Sequence, residues 1–172
     1  MNSVKDKVTV ITGASRGLGK SLAEILAAKG AKLFISDRNE SELKETANNI
    51  GAAFFVADVT NEQDMKNLAK AVIAKFGHID IWINNAGVWL PKMPAEEIDM
   101  KKAHGIFEVN VFGTIYGSRE AITHMKSRAN LAGDVKAENS GMIVNIISTS
   151  ALQGRTQSKH LFCRQTCRQR FY

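Results

Sequence analysis

Eight residues constrain this chain most: Thr12-Gly13-Ala14-Ser15-Arg16-Gly17-Leu18-Gly19. The apolar run 8–11 before them is β-like, and the run 18–29 after them is helix-like. Glycines at 13, 17 and 19 carry no Cβ, so the backbone can turn sharply there. The same lack lets backbone N–H groups and a helix start come close to a phosphate. The stretch predicts a nucleotide-phosphate site at a strand–turn–helix junction.

Strand and helix then keep alternating. Predicted strands cover 8–11, 32–36, 52–57, 79–83 and 142–147, and predicted helices cover 18–29, 41–50 and 61–76. Pro91 and Pro94 precede one long amphipathic helix, 103–127, and a polar loop, 129–140. Such alternation implies right-handed βαβ crossovers. The expected fold is α/β, a Rossmann-like doubly wound parallel sheet in three α/β/α layers. Its ligand crevice lies at the carboxyl ends of the strands.

A chain of 172 residues suits one domain with a real core. No apolar run approaches the ~20 residues of a membrane span, and the polar start, 1–7, does not read as a signal peptide. A cytoplasmic protein with neither membrane nor nucleic-acid partner is expected. The net charge of +6 does not change this, because five basic residues (Arg155, Lys159, Arg164, Arg168, Arg170) sit in 155–172 without an acidic one, leaving +1 for 1–154. His160, Cys163 and Cys167 lie in the same tail but lack the fourth ligand of a structural zinc site, so no metal is expected.

The turn by itself admits two nucleotides. Shifted by one residue, 14–21 reads A-S-R-G-L-G-K-S, a relaxed P-loop with Lys20 for phosphate and Ser21 for magnesium. The stretch 54–58, ending in Asp58, would be its metal-binding strand, although the strict pattern wants glycine where Ala14 stands. Against this, the second strand ends in Asp37, 24 residues beyond Gly13. That is close to the ~20-residue offset at which an acidic side chain meets an adenosine ribose. Later motifs favour the dinucleotide. Asp58-Val59 closes the third strand, Asn84-Asn85-Ala86-Gly87 the fourth, and Ile143-Val144-Asn145-Ile146-Ile147-Ser148 the fifth, while Phe107-Glu108-Val109-Asn110 lies inside the long helix. Each alone has a plain use as a cap or turn. In order, at strand ends lining one crevice, they form a set.

On these residues the sequence from about 5 to 154 resembles the short-chain dehydrogenase/reductase family. T-G-A-S-R-G-L-G matches the family's T-G-x-x-x-G-x-G turn, D-V-T at 58–60 the element beside the adenine, and N-N-A-G at 84–87 the stretch that steadies the sheet and touches the cofactor. The resemblance implies hydride transfer between NAD or NADP and a small carbonyl or alcohol substrate. Gly13, Ser15, Arg16, Gly17, Leu18 and Gly19 would cradle the cofactor's diphosphate. Asp37 and Arg38 would meet its ribose, Asp58 and Val59 would lie beside its adenine, and Asn85, Ala86 and Gly87 would touch the cofactor. Ser148 matches the family's catalytic Ser, which hydrogen-bonds the substrate oxygen. Asn110 matches its Asn, which opens the long helix locally and holds a relay water. Asp37 favours NAD by repelling a 2′-phosphate, whereas Arg16 and Arg38 could bind one. The long helix 103–127 is the expected surface for a homo-oligomer.

The resemblance breaks in the tail. The family's catalytic Tyr and Lys fall thirteen and seventeen residues after the Ser, where this chain has Leu161 and Gln165. Loss of a positioned acid/base costs ~10²–10⁴ in rate. A frameshift accounts for the change. One codon choice for 157–172, read one base later, gives R-A-N-I-Y-S-A-A-K-H-A-V-K-G-F, which puts Y-x-x-x-K at 161 and 165. The reading is therefore a dinucleotide-binding domain over 1–154, incomplete at its C-terminus, followed by an aberrant basic tail, 155–172. Such a chain is an impaired oxidoreductase, or a dinucleotide-binding protein without redox activity. The tail is expected to be loosely held, as basic polar residues bury little. The fifth strand, apolar and β-branched, is expected to be an uncovered edge that pairs with other chains. Early elution on a sizing column at high concentration is the expected result, and a clean monomer peak would count against it.

Overall fold

The computed structural model describes residues 4–91, 93–131 and 141–148. The tail 155–172, with Leu161, Gln165 and the His160–Cys163–Cys167 group, lies outside them, as does most of the polar loop 129–140. Five parallel strands form one sheet in the order β3-β2-β1-β4-β5: β1 Val8–Thr12, β2 Lys32–Asp37, β3 Ala53–Val56, β4 Ile81–Asn84 and β5 Met142–Asn145. After β3 the chain crosses back over β1 to start β4 on its other side. The crevice of such a sheet opens at this reversal, between the carboxyl ends of β1 and β4.

Period-two alternation in the strands fills two cores, one on each face. Val8, Val10, Phe34 and Trp82 face α3 (Glu62–Phe76) and α5 (Gly113–Leu131), meeting Met65, Leu68, Val72, Ala121 and Met125. Ile11, Leu33, Ile35 and Ile83 face α1 (Gly17–Ala28) and α2 (Glu40–Ile50), meeting Ala23, Leu43 and Ala47. These are the three layers the sequence predicts. Across α3 and α5, the Arg119 guanidinium donates to the Glu62 carboxylate, which also holds Lys66. Both hydrogen bonds keep the Glu62 carboxyl below the usual carboxylate range.

Three expectations need correction. The third strand stops at Val56, so Asp58 and Val59 lie in the turn beyond it and do not close it. The fifth strand ends at Asn145, and Ile146, Ile147 and Ser148 leave the ladder. The long helix is three pieces in series: α4 (Met100–Phe107), a π-helical turn (Glu108–Phe112) and α5, which runs on to Leu131. Leu131 lies inside the stretch 129–140 expected to be loop, because the helical ladder outlasts the apolar period that marked it. Among the described residues, β5 is an edge of the sheet, with Met142 and Ile147 exposed.

Candidate nucleotide site

Thr12 is the hinge of the crevice. It ends β1, is buried, and its Oγ1 accepts from the backbone N–H of Asn85 and of Ala86, both at 3.2 Å. Asn85 returns the tie, its Nδ2 donating to the carbonyls of Thr12 and Gly13 at 3.0 Å each. The turn after β1 and the N-N-A-G stretch after β4 are thus bound together. Packing here leaves no room for side chains. A Cβ on Gly13, whose φ is +67°, would come 2.7 Å from Ala86 Cα, and one on Gly19 would come 2.1 Å from the Gly13 carbonyl oxygen.

Gly17 is different. Its φ is +56°, and no atom lies within 4 Å of the place a Cβ would take. It opens α1, and Arg16 before it caps the helix with no side-chain hydrogen bond; no acidic residue stands in the first turn. By contrast Asn39 caps α2, Asn61 caps α3 and Asp99 caps α4, each accepting backbone N–H groups. The head of α1 therefore presents orphan N–H groups and the positive end of a helix dipole toward open space. A dinucleotide's diphosphate fits this cradle. Arg16 and Leu18 are exposed beside it.

The other predicted site residues fall as follows. Asp37 ends β2 half-buried, with Oδ2 accepting from Ser15 N at 3.2 Å and Oδ1 from Asn39 N at 3.1 Å. Each carboxylate oxygen keeps a further lone pair for a ribose hydroxyl. Arg38 is exposed next to it. Asp58 Oδ1 accepts from the N–H and the hydroxyl of Thr60 at 2.9 and 2.8 Å, which shapes the turn into α3. Asp58 also follows a strand separated from β1 by β2, about two strand spacings (~10 Å) from the turn. Val59 is buried, its side chain lying where a Cβ on Gly113 would come within 2.8 Å.

Asn110 sits in the π turn, so the long helix does open at this residue. Its Nδ2 donates to the Val88 carbonyl at 2.8 Å and its Oδ1 accepts from Val88 N at 2.9 Å. The side chain thereby fixes the strand exit just past Gly87. Its backbone carbonyl accepts from Thr114 Oγ1 at 2.9 Å. Ser148 is exposed beyond β5.

Asn84, outside the expected site residues, is a hydrogen-bonding hub. Its Oδ1 accepts from Trp82 Nε1 at 2.8 Å, and its Nδ2 donates to Ser118 Oγ at 3.0 Å and Asn145 Oδ1 at 2.9 Å. It ties β4 to α5 and to the strand that leads to Ser148. The first Asn of N-N-A-G was the available signal.

The family profile described as short chain dehydrogenase matches residues 7–160. The chain belongs to the short-chain dehydrogenase family. It is 38% identical over 135 residues to an uncharacterised oxidoreductase of Bacillus subtilis, covering 74% of this chain and 37% of that one. To an uncharacterised oxidoreductase of Staphylococcus saprophyticus it is 34% identical over 159 residues, covering 89% and 63%. Among solved structures, the 3-ketoacyl-(acyl-carrier-protein) reductase of Brucella melitensis complexed with NADH superimposes with a TM-score of 0.79 at 33% identity, covering 87% of this chain and 59% of that one. The chain therefore spans less than two thirds of the length of these relatives.

Proposed function

We propose that this chain carries the nucleotide site of an NAD(P)-dependent oxidoreductase that interconverts a carbonyl and an alcohol. The observation that carries the reading is the uncapped, acid-free head of α1 beside the open space at Gly17. The diphosphate would rest on residues 13–19, the adenosine ribose on Asp37, and the adenine beside Asp58 and Val59. Asn85, Ala86 and Gly87 would flank the nicotinamide half. A bound nicotinamide supplies the hydride donor or acceptor. Ser148 would hydrogen-bond the substrate oxygen, and Asn110 would keep the π turn and the Val88 exit in register for a relay water. Relatives named L-fucose dehydrogenase, from mouse, and diacetyl reductase, from Staphylococcus epidermidis, act on this substrate class by name.

NAD is the favoured cofactor. A 2′-phosphate would bring negative charge against the Asp37 carboxylate, and Arg16 and Arg38, both exposed, offset this only through solvent-screened contacts. Titration with NADH and NADPH, followed by nicotinamide fluorescence, tests the reading. NADH is expected to bind at least about tenfold more tightly, a difference of ~1.4 kcal/mol. Equal binding would reverse the cofactor assignment, and no binding of either would remove the function.

Turnover is expected to be weak, because Leu161 and Gln165 stand where the family's Tyr and Lys fall. The match to the family profile stops at 160, one residue before Leu161, and a shifted frame in the tail is our explanation for the loss of the pair. Sequencing the gene decides this; an intact frame with no Y-x-x-x-K in the shifted one would sink it. Self-association through 103–127 is supported by exposed Phe107, Phe112 and Ile115. Among the described residues no helix is long and apolar enough to cross a membrane.

A further inference from the structure

The glycine turn is gripped from two sides, and one grip lies outside its motif. On the β4 side Asn85 and Thr12 hold it, as described above. On the opposite side Ala14 N donates to the Ser36 carbonyl at 3.1 Å, and Ser15 N donates to Asp37 Oδ2 at 3.2 Å. The third contact comes from α2: Thr46 Oγ1 donates to the Ser15 carbonyl at 3.1 Å. Thr46 is fully buried, on a helix face whose neighbours Leu43 and Ala47 pack with Ala14 in the core. An aliphatic side chain is the ordinary occupant of such a position. The hydroxyl serves the carbonyl, which would otherwise be buried without it.

The Ser15 carbonyl shares its peptide group with the Arg16 N–H. A trans peptide is planar, so the two point in opposite directions. Holding the carbonyl toward α2 therefore aims the Arg16 N–H, on the residue that precedes the first turn of α1, away from α2. Asp37 fixes the preceding peptide in the same manner through the Ser15 N–H. We propose that Thr46 is a positioning residue of the diphosphate site, setting the direction of the Arg16 N–H through its bond to the Ser15 carbonyl. The proposal rests on the nucleotide reading given above.

The test compares Thr46→Val, close in shape but without the hydroxyl, with Thr46→Ser, which keeps it. NADH and ADP are titrated at a temperature where every variant is folded, and thermal unfolding is recorded in parallel. T46V is expected to weaken both ligands five- to tenfold, and T46S to stay within about twofold of the wild type, since the bond and not the methyl group aims the donor. Because ADP retains the diphosphate and lacks the nicotinamide, an equal loss for both ligands places the effect at the turn. A lowered unfolding temperature with unchanged affinity for both ligands would make Thr46 merely structural and overturn the proposal, as would a T46S variant as weak as T46V. If T46V does not fold, T46A is read in the same titrations and must lose at least threefold. Wild-type protein that binds neither NADH nor ADP overturns the nucleotide reading and this proposal with it. Wild-type binding with T46V unchanged overturns this proposal alone.

Discussion

Gly19→Ala is expected to weaken NADH binding at least tenfold and to destabilise the fold, whereas Gly17→Ala is expected to weaken binding as much at a smaller cost in stability. Both are motif glycines, yet their surroundings differ. A Cβ at 19 meets the Gly13 carbonyl oxygen at 2.1 Å and Asn85 Nδ2 at 2.4 Å. Neither can retreat, since one is backbone and the other is held by two carbonyls. Helix α1 must move off the turn, and with no neighbour able to give, the overpacking falls at the upper end of the usual range, ~3 kcal/mol or more. The helix-propensity gain of ~1 kcal/mol offsets part of it. At 17 the Cβ enters open space, so the stability cost is only the left-handed backbone, ~1–2 kcal/mol. That open space is where the diphosphate is proposed to sit, so affinity should fall by tenfold or more. Urea unfolding and NADH titration of the two variants separate the effects. Wild-type affinity in G17A would show that the cradle is not the site.

Gly117→Ala carries the largest effect expected away from the turn. A Cβ there lies 2.3 Å from Asn84 Oδ1 and 2.8 Å from Trp82 Nε1, inside the hydrogen bond that joins them. Either α5 lifts off β4 or the Trp82–Asn84 bond breaks, leaving a buried indole N–H unsatisfied at ~1–3 kcal/mol. With the overpacking added and ~1 kcal/mol of helix propensity returned, a net loss of about 3 kcal/mol is expected. For a chain of this size that lowers Tm by roughly 6–12 °C. Gly105→Ala is the control. It is helical, exposed and meets no atom within 4 Å, so it should gain up to ~1 kcal/mol and raise Tm by a few degrees. Equal behaviour of the two variants would mean that α5 does not approach β4 as closely as the structure has it.

The fold was legible in the sequence because the strands are short apolar runs, set off by turn residues and separated by helix-like stretches. Local pattern placed all five strands, and errors fell at their ends, where Val56 and Asn145 stop the ladder sooner than the apolar run does. Within the site, the motif residues of the turn and of N-N-A-G could be named from their spacing. Their partners could not. Thr46 reads as one more helix residue in E-L-K-E-T-A-N-N-I, and Gly117 as a weak spot in a helix. Nothing local says that one faces the Ser15 carbonyl and the other faces Asn84.

The sequence by itself determined the α/β class, the phosphate-cradling turn, the acidic end of β2 and the ordered motifs that mark the family. All of these are encoded in stretches of a few residues, where spacing translates directly into periodicity and backbone freedom. Only the tertiary structure decided which glycine borders open space and which is packed against the protein itself. It also decided that Asp37 holds the turn through the Ser15 N–H, and that Asn110 spends its amide on Val88. The physical reason is that a hydrogen bond or a steric limit needs two partners. Here the hydrogen-bond partners lie 22 to 74 residues apart, brought together only when the strands take their order in the sheet.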